Sequence, residues 1–250
     1  MSIDPIFNSR PFKSQPVTFD KHQAQKMELG LPSQWLQNPG LVKLQIKPQK
    51  LKAIENPPEK LLSNTDRLLL KRNEPLFKGI YCSNLEITNL SVKKASKNSP
   101  KNIKIRVKEL LPKHLRKLYG YARAELSLLT GPHSSAILFH NPDYIDRLKK
   151  TNEDHVNFVI DNYQKIKRPS NLRFGDHIFF TVKYENPRLN NIPPCRIHSM
   201  IYVAPGLAFS KNNFGASSPF YLQNIEKILN LLQPIAENTT MYFEFWRPAV

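Results

Sequence analysis

The chain has 250 residues, 40% of them hydrophobic and 10% aromatic, enough for one sizeable core with or without an appendage. Its net charge of +17 is uneven: residues 1–117 carry 23 Lys and Arg against 9 Asp and Glu, while residues 118–250 carry 14 against 11. Two cysteines, Cys82 and Cys195, exclude a disulfide framework and fit a reducing compartment. No window approaches the about 18–20 apolar residues of a membrane-spanning helix, and no apolar core follows a basic head at the start. The pattern predicts a soluble chain, cytoplasmic or exported without a cleaved signal peptide.

Residues 1–108 read as a basic, Pro-rich extension that is partly ordered. Pro5, Pro11, Pro16, Pro32, Pro39, Pro48, Pro57, Pro58 and Pro75 interrupt helix or ladder. Between them "LVKLQIK" and "NLEITNLSV" alternate with period two and predict strands, and "EKLLSNTDRLLLKR" is helix-like. The run "KKASKNSPKNIK" has the composition of a linker.

Residues 109–250 are more regular. After Pro112 the residues Leu115, Leu118, Tyr121, Ala122, Leu126 and Leu129 recur at three- and four-residue steps and predict a helix. "TGPHSS" is expected to end it with a Gly-Pro turn. "NPDYIDRLKK" and "EDHVNFVIDNYQKI" predict two more helices, the second with a stripe of Val156, Val159, Tyr163 and Ile166. "HIFFTVKY", "RIHSMIYV", "LAFSK" and "TTMYFEFW" predict strands, with "APG" as a tight turn between the second and third. "SSPFYLQNIEKILNLLQPI" predicts a helix capped by Ser218 with Pro219 in its first turn. Helices first, then strands, one helix and a last strand predict an α+β fold: an antiparallel sheet with helices packed against it.

The segments "RFGDHIFF", "IHSMIYVAPGLAFSK" and "SPFYL" resemble the papain-like hydrolases of the NlpC type, over residues of about 112–250. A Gly-Asp turn opens one strand, and a histidine begins the next in an H-x-x-I-Y context. The resemblance implies a thiol hydrolase or acyltransferase acting on peptide or acyl bonds, with a Cys thiolate as nucleophile and an oriented His as base. It implies His198 as base and Ser210 as the residue that orients its ring. The nucleophile is expected on the helix of "LRKLYGYARAELSLL", where Leu118 stands in the place of Cys. Cys82 then remains as candidate nucleophile, since Cys195, three residues from His198 on one strand, points to the other face.

Loss of the thiol implies an inactive binding module. A third reading is a basic adaptor, whose N-terminal half meets an acidic protein, nucleic acid or a membrane surface. No Gly-rich phosphate loop is present, and no cofactor is expected. Cys195, His198 and His177 would make an incomplete zinc set, and His133 and His140 flank a turn without metal-ligand spacing. "KNNFGASSPF" reads as a capped loop rather than an anion site.

Overall fold

The computed structural model describes residues 16–37, 42–48, 52–53, 80–81, 84–94, 100–119, 130–185, 193–211, 220–232 and 239–249. The period-two segments of the first half build an antiparallel sheet. Strand β1 (Pro16–Phe19) leads through α1 (Lys21–Lys26) and α2 (Ser33–Gln37) to β2 (Val42–Pro48). Asp20 starts α1 by accepting the Gln23 N–H at 3.1 Å. A two-stranded ribbon follows, β3 (Lys52–Ala53) with β4 (Ile80–Tyr81). Strands β5 (Asn84–Asn89) and β6 (Asn102–Arg106) complete a sheet of order β1-β2-β5-β6. Val17, Phe19, Leu44, Leu85, Ile87 and Ile105 turn inward, while Lys43, Lys104 and Arg106 face solvent. The expected strands are thus present, and the end of the expected linker is itself strand β6. The helix-like stretch at 59–72 and Cys82 lie outside the described residues.

The second half holds α3 (Pro132–Leu138), α4 (Asn152–Asn162) and α5 (Ile225–Leu232). Its strands are β7 (Tyr163–Ile166), β8 (His177–Tyr184), β9 (Cys195–Ala204), β10 (Leu207–Lys211), β11 (Phe220–Asn224) and β12 (Thr239–Pro248). They form one sheet of order β11-β10-β9-β8-β12-β7, every pair antiparallel. Gly206, at φ 78°, closes the β9–β10 turn in a conformation that suits glycine. The protein is an α+β fold of antiparallel sheets and helices.

Several expectations need correction. Residues 107–110 and 113–118 are 3-10 turns rather than the start of a long helix. Within "TGPHSS" a helix begins at Pro132, which fits a first turn that needs no N–H; Tyr121, Ala122, Leu126 and Leu129 of the expected helix before it lie outside the described residues. Tyr163 and Ile166 leave the helix stripe and pair with Pro248 and Phe245 of β12. Finally, residues 220–224 form strand β11. Phe220, Tyr221 and Leu222 gain cross-strand partners on β10, and the α5 helix starts after Asn224, whose Oδ1 accepts the Glu226 N–H at 2.8 Å. Ser218 lies outside the described residues. The segment "NPDYIDRLKK" is helical only as a 3-10 turn, Pro142–Arg147.

Both halves share one core. Phe19 stacks on Phe174 with ring centroids 4.1 Å apart, and the Phe174 N–H donates to the Thr18 carbonyl at 2.9 Å. Phe139 touches both Phe174 and Phe209, which in turn stacks on Phe220. The Gly30 N–H donates to the Glu109 carbonyl at 2.8 Å, so the segment between α1 and α2 is tied to the start of the second half.

Candidate functional site

His198 lies opposite Phe180 of β8, and Ser210 lies opposite Met200 of β9. Met200 is two residues from His198 and so shares its face. Ser210 is therefore a diagonal neighbour of the histidine. The contact is made: His198 Nε2 is 2.7 Å from Ser210 Oγ. Both residues are 1% exposed. Burial, aided by repulsion from His133, drives the His198 pKa down to about 3. The ring is neutral at every physiological pH.

The structure places the other sequence candidates apart from this pair. Cys195 is exposed and sits about 10 Å along β9 from His198 at the rise of a strand. Leu118 is buried, 3% exposed. The next residue, Tyr119, forms a parallel bridge with Phe220 of β11. Three strand steps then separate residue 119 from β9, about 14 Å. The helix that packs on β9 and β10 is α3. Lys211, beside Ser210, points to the opposite face, where burial lowers its pKa to about 7.

On that opposite face lies a second polar group, which sequence reasoning missed. His133 Nδ1 is 2.7 Å from Ser199 Oγ, and His177 Nε2 is 3.0 Å from the same oxygen. All three residues are buried. The bonding pattern assigns the tautomers. The His133 ring also bonds the Arg196 backbone, in a sense that favours the protonated ring, so that nitrogen carries hydrogen and Nδ1 accepts. The Ser199 hydroxyl donates to His133 Nδ1 and accepts from His177 Nε2–H. His177 Nδ1 is left without a partner among the described residues. Burial lowers the His133 pKa to about 4 and that of His177 further still. The available signal was two polar residues, His177 and Ser199, on inward faces of otherwise apolar strands, with His133 in the first turn after Pro132.

Charged groups border this cluster. Glu244 bonds Arg196 Nε at 2.6 Å and Lys165 Nζ at 2.9 Å. Burial pushes its carboxyl up, but the two cations outweigh that and hold it below its ordinary value. The Arg196 guanidinium lies 5.6 Å from the Phe179 ring centroid. His140, half-buried, accepts from Gln23 Nε2 at 3.2 Å and donates from Nε2 to the Gly175 carbonyl at 2.5 Å. Burial lowers its pKa to about 4. Among the described residues, no three His, Cys, Asp or Glu side chains gather as a metal site. Cys195, His177 and His198 do not converge, since His177 and His198 occupy opposite faces. Most of "KNNFGASSPF" lies outside the described residues.

Among the described residues, no helix is long and apolar enough to cross a membrane. Comparison with family models, curated proteins and solved structures finds no match for the chain.

Proposed function

We propose that the chain is a binding module of papain-like layout that does not perform thiol chemistry. The observation that carries this reading is the burial of His198. A thiolate–imidazolium pair needs a ring that takes a proton near neutral pH, and His198 is held neutral down to about pH 3. Leu118, where the resemblance puts the nucleophile, cannot attack. The His198–Ser210 bond then serves to join β9 to β10 within the sheet.

A second reading keeps the enzyme: a hydrolase or acyltransferase of peptide or acyl bonds, with Cys82 as nucleophile, His198 as base and Ser210 orienting the ring. It is favoured by the 2.7 Å contact between His198 and Ser210, the geometry such a base needs.

Iodoacetamide labelling across a pH series, read by mass at each cysteine, separates the two. The binding reading expects Cys82 and Cys195 to label slowly near neutral pH. Fast labelling of Cys82 near neutral pH, slowed in a folded His198→Asn variant, would establish the enzyme and end the first reading.

A further inference from the structure

The turn after β5 holds an arrangement that the histidine site does not use. The Leu90 N–H donates to the Lys43 carbonyl at 2.8 Å, and the Asn89 N–H donates to the Lys101 carbonyl at 2.8 Å. Backbone bonds therefore hold Lys43 beside Leu90, and Lys101 beside Asn89, at one end of the first sheet. Asn89 Oδ1 fixes the turn by accepting the Ser91 N–H at 2.8 Å. Leu90 is 42% exposed, one of three large hydrophobic side chains so placed among the described residues. Lys43 beside it, Lys93 and Lys94 just after it in the chain, and Lys101 across from Asn89 are all exposed. Between Glu86 and Glu109 the sequence holds no acidic residue.

We propose that this end of the sheet docks on an anionic lipid membrane. Leu90 enters the headgroup layer and the surrounding lysines meet the lipid charges. An exposed leucine gains nothing in water but is buried at a lipid interface, where basic neighbours add electrostatic attraction. Nucleic acid fits the same charges less well. Lysines supply point charges without the bidentate fork of arginine, and the turn offers no aromatic platform for bases. Trp35, close by, is 1% exposed and donates its Nε1–H to the Pro100 carbonyl at 3.0 Å. Exposed Ile145 makes the contrast: Asp143 and Asp146 flank it. The surface names a partner for the binding module, yet it stands apart from the His198 pair and survives if that pair proves catalytic.

The test is co-sedimentation of the full chain with phosphatidylcholine vesicles, with and without phosphatidylserine. The parent is expected on the phosphatidylserine vesicles alone. Lys93→Ala/Lys94→Ala is expected to weaken partitioning about thirtyfold at low salt, and Leu90→Ser about fivefold. Both variants should melt like the parent, because the replaced side chains are exposed. Equal binding without phosphatidylserine, or parent-like binding by both variants, would overturn the proposal. So would displacement from vesicles by duplex DNA together with an unaffected Leu90→Ser variant, which would mark a site for polyanions instead.

Discussion

Ser199 Oγ stands 2.7 Å from His133 Nδ1 and 3.0 Å from His177 Nε2, so one hydroxyl satisfies two buried imidazoles. Removing it leaves an acceptor and a donor without partners in the core. Ser199→Ala is expected to destabilise the protein by about 2–4 kcal/mol in urea unfolding. Ser199→Ala/His133→Leu should recover part of that loss, since it removes the unmet acceptor His133 Nδ1 and leaves the His177 Nε2–H as the donor that lost its partner. A loss under about 1 kcal/mol in the single variant would show that the two rings find other partners.

Acid sensitivity follows from the same rings. His133 and His140 fall to about 4, His198 to about 3, and His177 lies well below its ordinary value. The unfolded chain binds protons on these rings as pH drops below about 6.5, while the folded protein does not. Their contribution is complete above that pH and is lost as pH falls toward 4. Each ring removes about 1.4 kcal/mol per pH unit once it is protonated in the unfolded chain. Four such rings outrun the stability of an ordinary domain, about 5–15 kcal/mol. Cooperative unfolding near pH 5, followed by circular dichroism, is the expected result. A fold intact at pH 4 would mean that the rings titrate in place.

The strands were legible where pattern and punctuation agree. "HIFFTVKY", "RIHSMIYV" and "LAFSK" are β8, β9 and β10, and the "APG" turn sets the hairpin. The His198–Ser210 pair could be read because it spans 12 residues across that hairpin. His133 and Ser199 are 66 residues apart, and only the packing of α3 on β9 brings them together. Strands β7 and β11 were hidden for a related reason. "YQKI" and "FYLQN" sit beside helical sequences, and their extended form depends on partners elsewhere in the sheet.

Gly175 has φ +90°, and a Cβ there would meet Gln23 Nε2 at 3.1 Å and His140 Cε1 at 3.3 Å. Its carbonyl accepts from His140, and its N–H donates to the Tyr202 carbonyl at 2.9 Å. Gly175→Ala therefore adds backbone strain and crowds the contact between α1 and the main sheet. The expected cost is about 1–3 kcal/mol. It should appear in thermal melting with faster hydrogen exchange in residues 16–26. Exchange unchanged there would place the cost elsewhere.

Asp176 and Arg247 make the last prediction. Arg247 Nε and Nη2 donate to the two carboxylate oxygens at 2.8 and 2.7 Å, and the Arg173 N–H donates at 2.6 Å. Burial pushes the Asp176 carboxyl up, and these donors oppose it. The Asp176 side chain is 2% exposed and that of Arg247 27%, so the two partners differ in what their loss strands. Arg247→Ala leaves a carboxylate buried without its cation and is expected to cost about 3–5 kcal/mol near pH 7. Asp176→Asn leaves a guanidinium that reaches water and should cost less, about 1–2 kcal/mol. In Arg247→Ala the folded pKa lies further above its unfolded value. A proton bound there favours the folded state at low pH, and that favour is lost as pH rises. The stability gap between parent and Arg247→Ala should thus narrow from pH 7.5 to pH 5.5 in urea titrations, where a gap independent of pH would show that the carboxylate finds a second cation.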